Sequence, residues 1–304
     1  MKDLFCNECN LSTKIPQFIA EKLLGIDNLP LLDVRYEQMR NCYDYSYPQW
    51  QSVFTEDLKP FKGYDDTTAV TMPIKHPIFK TDFEELDKGA IGVDLPTWFN
   101  VQNNNPIIML IAQDPLRSIE SYGECRDAVL SSPFGLHDAT HRGWKNGGMM
   151  VYELVNRLVM AGYGVYLTDS RKYFVYNPVT TNRFARLHKK EYLDILKKEI
   201  EITRPTLCVA LGRKAAKIMA PFVAENRDLP PYYIPLPHLS GAARGAIKAK
   251  FPKLQEIKLT YDNIADEYAR IITAIIEHNK ITPLPYCRDT LCSLITHIGR
   301  YLAH

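Results

Sequence analysis

Asp114 and His238 are the residues of this chain best suited to chemistry. Asp114 ends the run Pro106-Ile-Ile-Met-Leu-Ile-Ala-Gln113-Asp114-Pro115, in which an apolar stretch breaks off at a carboxylate followed by a proline. Pro115 fixes its own φ and biases Asp114 toward an extended backbone, giving the carboxylate a defined direction. An aspartate so held can position or deprotonate a water. The same residue can also cap a following helix, because Asp before a proline at the first helical position is a common helix start. His238 lies in Pro235-Leu-Pro-His238-Leu-Ser240-Gly-Ala-Ala-Arg244-Gly, a loop of small residues after the apolar segment Tyr232-Tyr-Ile234. Two strand ends thus offer an acid and a histidine.

These residues need elements that bring them together. The six apolar residues before Gln113 read as a buried strand of a parallel sheet, and open α/β sheets place their chemistry at the carboxyl ends of such strands. The pattern predicts strand 107–112, helices near 119–131 and 148–161, strand 165–169, helix 188–202, strand 206–211, helix 213–225 and strand 232–236. This alternation specifies an α/β fold, a three-layer α/β/α sandwich around a four-stranded parallel sheet. A last helix at 261–279 carries Ile264, Tyr268, Ile271, Ile272 and Ile275 at helical spacing and should pack on the sheet. Residues 1–100 read as a mostly helical N-terminal extension, a cap on the domain formed by 101–304. Tyr43, Tyr45, Tyr47 and Trp50 form an aromatic cluster that packs elements together or stacks on bases.

The chain has 304 residues, 46% hydrophobic and 24% charged, in the range of a folded globular protein. It shows no run of membrane-spanning length and no signal-peptide pattern, so the expected location is cytoplasmic and no membrane partner is expected. The net charge of +2 conceals an asymmetry: residues 171–253 hold 17 Lys plus Arg against 6 Asp plus Glu, leaving 20 against 29 elsewhere. A basic half is what a phosphate-binding face requires. Lys189, Lys190, Lys197 and Lys198 alternate with Glu191, Glu199 and Glu201, as on a solvated helix. Arg171, Lys172, Arg183, Arg186, Arg213, Lys214 and Arg244 lie near strand ends and are the better phosphate candidates.

Together the segments resemble the uracil-DNA glycosylase superfamily. Its first motif, a strand followed by Gly-Gln-Asp-Pro-Tyr-His or a variant, corresponds here to Ala112-Gln113-Asp114-Pro115-Leu116-Arg117. Its second, His-Pro-Ser-Pro-Leu-Ser or a variant, corresponds to His238-Leu239-Ser240-Gly241-Ala242-Ala243-Arg244. Between them, Gly164-Val-Tyr-Leu-Thr168-Asp169-Ser-Arg171-Lys172 is similar to the strand that ends in a base-reading Asn. Pro205-Thr-Leu-Cys-Val-Ala-Leu211-Gly212 looks like the strand and glycine turn before the histidine motif. The resemblance extends over residues 105–255, and the order of the motifs agrees with the family.

The resemblance implies a DNA glycosylase-like hydrolase that cleaves the N-glycosidic bond of a flipped, damaged or deaminated base, uracil or a relative, in double- or single-stranded DNA. Asp114 would orient the water and stabilise the cationic sugar, and His238 would hydrogen-bond the departing base. Gln113, Leu116, Phe134 and Asp169 would contact the base. Ser240, Arg244, Arg171, Lys172, Arg213 and Lys214 would hold phosphates, while Leu239 would fill the gap in the base stack. Two departures bear on specificity. Leu116 replaces the tyrosine that excludes the thymine methyl, and Asp169 replaces Asn. An ionised Asp only accepts hydrogen bonds, so the substrate presents an amino group there, or Asp169 is protonated, or Asn177 reads the base.

Cys6-Asn-Glu-Cys9 has metal-ligand spacing, and some relatives carry an iron-sulfur cluster whose first two ligands form such a pair. Their other two ligands follow the water-activating motif, where this chain has Cys125 alone. The expected state is reduced thiols without a cofactor; a zinc or Fe-S site of Cys6, Cys9, Cys287 and Cys292 is the alternative if the termini meet. Two other functions remain open, a nucleic-acid- or nucleotide-binding protein that keeps the fold without base excision, and a hydrolase of a small nucleoside-like substrate.

Overall fold

The computed structural model describes residues 5, 9–43, 71–72, 91–102, 104–115, 128–137, 148–175, 178–226 and 232–281. Helices α1 (Asn10–Ile19) and α2 (Leu29–Cys42) come first, then strands β1 (Thr71–Met72), β2 (Ile91–Asp94), β3 (Thr97–Phe99), β4 (Ile107–Ala112) and β5 (Ala128–Ser131). The rest alternates: α3 (Gly148–Met160), β6 (Gly164–Asp169), β7 (Phe174–Val175), α4 (Pro178–Leu187), α5 (Lys189–Thr203), β8 (Leu207–Leu211), α6 (Arg213–Glu225), β9 (Tyr233–Leu236), α7 (Arg244–Lys250) and α8 (Tyr261–Ile281).

The main sheet has the order β3-β6-β4-β8-β9. β4 pairs in parallel with β6 and β8, and β8 with β9. Ile108, Met109, Leu110 and Ile111 are wholly buried, as are most side chains of β6 and β8, which explains why these strands read as continuous apolar runs. Helices flank the sheet. α3 packs on β6 and against α8, while α6 packs on β8 and β9. The chain steps from β4 to β6 on one side and later to β8 on the other. The carboxyl end of β4 therefore lies at a topological switch point, the crevice where open α/β sheets bind ligands.

The structure corrects the expected four-stranded sheet. The four parallel strands are present, but β3 adds a fifth, antiparallel to β6 at the edge. Thr97, Trp98 and Phe99 are only three residues long, too short a run to show strand periodicity. A second sheet, β1-β5-β2-β7, was also unforeseen. In it Ala128–Ser131 forms a strand parallel to β2, where the sequence pattern predicts the end of a helix; residues 119–127 of that helix lie outside the described residues. A short apolar segment suits either state, and pairing with β2 decides it.

The N-terminal helices pack on this core. α1 lies against α5, the Tyr36 hydroxyl donates to the Pro96 carbonyl at 2.9 Å, and the Tyr173 hydroxyl donates to the Leu23 carbonyl at 3.0 Å. Tyr43 is buried and stacked on Phe5 with ring centroids 4.1 Å apart, so this member of the aromatic cluster packs elements together. Tyr45, Tyr47 and Trp50 lie outside the described residues.

Candidate active site

A cavity of about 480 Å³ opens at the carboxyl ends of β4 and β6, lined by Asp94, Ala112, Gln113, Asp114, Phe134, Asp169, Phe174, Pro178, Asn182, Lys214 and His238. Asp114, Asp169 and His238 thus meet in one place. The register explains this: Ala112 pairs with Asp169 across β4 and β6, so both strands end at the same level. β8 and β9 end together at Leu211 and Leu236, and the loop after β9 carries His238 back over the sheet. A larger hollow of about 750 Å³ at the amino ends of the strands, beside Lys14, Gln17, Lys198 and Arg204, contains none of these groups.

Asp114 is held from two sides. Gln113 Nε2 donates to Asp114 Oδ2, and Arg171 Nη1 stands 3.5 Å from the same oxygen. Arg171 Nη1 also donates to Asn182 Oδ1 at 2.7 Å, which ties α4 to the site. Arg171 is therefore engaged with the carboxylate instead of standing free for a phosphate. The Gln113 carbonyl accepts from the Arg171 backbone N-H and from the Ser170 hydroxyl, each at 3.0 Å, fixing the turn after β4 to the turn after β6.

His238 rests on a glycine turn. Gly212 has φ +94°, and a Cβ there would come within 3.1 Å of His238 Cβ and 3.3 Å of Cδ2. Only glycine takes this backbone conformation without strain and also leaves room for the imidazole. The His238 ring lies 5.5 Å from that of Phe134, tilted by 43°. Phe134 has φ +59°, a left-handed conformation that is unusual for a bulky residue and marks a side chain held in place by its surroundings. Burial holds the His238 pKa below 6.5, against an opposing pull from Asp114, so the imidazole is neutral at neutral pH.

Asp169 is 2% exposed, and its Oδ2 receives no hydrogen bond. Burial first, then the charge of Asp94, raise its pKa well above the ordinary 3.8, while Lys172 pulls the other way. Lys172 is itself buried. Its Nζ donates to Glu199 Oε2 at 2.5 Å and to Thr168 Oγ1 at 2.8 Å. Glu199 Oε1 accepts from the Thr168 hydroxyl at 2.9 Å and the Tyr166 hydroxyl at 3.2 Å. Tyr166 and Thr168 alternate along β6 onto one face, and Glu199 of α5 covers them.

Two sequence expectations fail here. Lys172 cannot meet a phosphate from its buried ion pair, because its charge is neutralised below the sheet surface. Leu239 is fully buried in the core and does not project as a wedge, since the loop folds its apolar side chain inward beside His238. Ser240 is half-buried and precedes the turn Gly241–Ala243. Arg213, Lys214 and Arg244 are exposed at the first turns of α6 and α7, and Lys214 reaches the cavity wall. Leu116, Asn177, Cys6, Cys287 and Cys292 lie outside the described residues; Cys9 is a half-buried free thiol. Among the described residues no group of three or more His, Cys, Asp or Glu is arranged to hold a metal ion, and no helix is long and apolar enough to cross a membrane.

Asp94, Phe174, Pro178 and Asn182 escaped sequence reasoning. Asp94 comes from a strand of the second sheet, and the other three follow the Asp169 strand, close to it in sequence but outside any recognised motif. No curated protein matches the sequence. A family model described as the uracil DNA glycosylase superfamily matches residues 99–259, just over half of the chain and the span that holds the four parallel strands of the main sheet together with Asp114, Asp169 and His238. The chain belongs to the uracil-DNA glycosylase superfamily.

Proposed function

We propose that this protein is a DNA glycosylase that hydrolyses the N-glycosidic bond of a damaged or deaminated base. The observation that carries the reading is the convergence of Asp114, His238 and Asp169 on one cavity at the switch point of the sheet. Breaking the bond leaves positive charge on the sugar and negative charge on the base. Asp114, oriented by Gln113 and Arg171, aims a water and stabilises the sugar cation. His238, neutral, donates to the base oxygen where negative charge develops. Phe134 stacks on the base beside it.

The target nucleotide is flipped from a duplex or presented single-stranded. Arg213, Lys214, Arg244 and Ser240 contact the phosphates. Residues 1–100 serve as an extension that caps the catalytic domain of 101–304, and the working location is the cytoplasm. Oligonucleotides carrying uracil, hypoxanthine or xanthine test the reading through alkaline cleavage at abasic sites. Strand scission with at least one of them supports it. Binding without scission would instead favour a nucleic-acid-binding protein that keeps the fold, and loss of DNA binding altogether would favour a nucleoside-like substrate.

A further inference from the structure

Asn182 stands on the second turn of α4, is half-buried and lines the cavity together with Asp114, Asp169 and His238. Its Oδ1 accepts from Arg171 Nη1 at 2.7 Å, and the same nitrogen stands 3.5 Å from Asp114 Oδ2. This contact fixes which way round the amide lies. A guanidinium carries only donors, so the amide oxygen faces Arg171 and the NH2 group faces away from it. With the amide turned over, N-H groups would meet a cation and the Arg171 bond would be lost. Among the described residues Nδ2 makes no hydrogen bond, and it is not sealed from solvent. Asn182 thus offers the cavity a donor, with its acceptor turned to Arg171. Gln113 Nε2 is engaged with Asp114, and the exposed Lys214 is a flexible point charge that sets no direction. Arg171 follows β6, on one side of β4 in the sheet, and His238 follows β9, on the other. Two directed donors therefore reach the cavity from the two sides of the strand that carries Asp114.

We infer that Asn182 is a specificity-determining residue whose Nδ2 donates to a base carbonyl oxygen other than the one His238 holds. The site then takes a base with two carbonyl oxygens, as in uracil or xanthine, and rejects one with an amino group in the second place, as in cytosine. The inference rests on the proposed function for the identity of the ligand. An amide free to turn over would serve a carbonyl or an amino group equally, since Asn carries both a donor and an acceptor. Arg171 removes that choice. Against an amino group the locked amide sets donor against donor, and two polar groups left without partners cost more than a hydrogen bond gains. Deamination exchanges an amino group for a carbonyl oxygen, so the lock separates a deaminated base from its parent. It does so whatever the charge on Asp169.

The test is the binding of single-stranded oligonucleotides to the full-length protein, followed by fluorescence anisotropy. Each oligonucleotide carries one 2′-fluoro-2′-deoxynucleotide, whose glycosidic bond resists cleavage. Its base is uracil, cytosine, or 2-pyrimidinone, which keeps one carbonyl and has hydrogen in place of the second. The wild type should bind uracil about 5-fold more tightly than 2-pyrimidinone, the effect of one hydrogen bond, and cytosine more weakly still. Asn182→Ala should bring uracil and 2-pyrimidinone to equal affinity. Asn182→Asp keeps an acceptor for Arg171 but puts an oxygen where the NH2 group was, so it should favour cytosine over uracil. A residue that only supported the fold would weaken all three complexes without changing their order. If Asn182→Ala fails to fold, the nearly isosteric Asn182→Asp and the wild-type ranking still decide. Equal binding of uracil and 2-pyrimidinone by the wild type, or the wild-type ranking kept by Asn182→Asp, would overturn the inference even where base excision is observed. A ranking that follows Asn182 without base excision would sustain it and overturn the proposed glycosylase activity instead.

Discussion

Gly212 lies against the side chain of His238, and the missing side chain of one makes room for the ring of the other. A Cβ on Gly212 would meet His238 Cβ at 3.1 Å, and φ at Gly212 is +94°. Gly212→Ala should cost about 1–3 kcal/mol through backbone strain alone. It should also displace the imidazole, so base release falls further than the stability loss explains. Denaturant unfolding and single-turnover kinetics on the same variant separate the two effects.

The ion pair of Lys172 and Glu199 makes a stability prediction. Both side chains are almost wholly excluded from solvent. Glu199→Gln leaves the lysine charge buried and unpaired, at a cost of about 3–5 kcal/mol. Replacing both residues with apolar ones of similar volume should cost far less. Equal losses in the single and double variants, measured by urea unfolding, would contradict this account of the pair.

Histidine burial sets a slope of stability with pH. The native pKa of His238 lies below 6.5, so an unfolded histidine takes up its proton at a higher pH than the native one. The unfolded chain then binds more protons, and stability falls as pH drops through about 6.5 toward the native value. His238→Gln should flatten that part of the profile. Asp169 has the opposite sign. Its native pKa lies above 3.8, so the unfolded chain releases a proton that the folded chain keeps, and stability falls as pH rises above that value. Asp169→Asn should therefore raise the unfolding midpoint at neutral pH.

Exposed cations predict a salt effect. Arg213, Lys214 and Arg244 are exposed in the first turns of α6 and α7, and Lys214 lines the cavity. If each contacts one phosphate, each Ala substitution should lower the slope of log K against log salt by about 0.7–0.9. Lys172→Met should leave that slope unchanged, because Lys172 is buried against Glu199. A lower slope in that variant would contradict the assignment.

Much of this molecule was legible in its sequence, for one physical reason. β4, β6, β8 and β9 are buried on both faces, so Ile107 to Ala112 and Leu207 to Leu211 stand out as apolar runs bounded by polar breaks. Asp114 and His238 follow such breaks and were visible with them. Asp94 was not, because its strand is four residues long and its partners β5 and β7 are distant in sequence. Nor did the sequence distinguish charges that face solvent from those that do not. Lys172 and Arg171 read as surface cations, and only the packing of α5 over β6 and the turn of β4 toward Asp114 shows that each has a carboxylate partner. Leu239 misled in the opposite sense: an apolar residue in a loop of small residues looks available, yet the loop folds it into the core.

The central claim is that Asp114 and His238 act on a glycosidic bond in this cavity. The most direct measurement is single-turnover release of the base from a uracil-containing oligonucleotide, at enzyme excess, by the wild type, Asp114→Asn and His238→Ala, each shown to be folded by circular dichroism. The account predicts release by the wild type and a loss of about 10²–10³ in rate for each variant. Release at the wild-type rate by either variant, or no release by the folded wild type with uracil, hypoxanthine or xanthine, would contradict it.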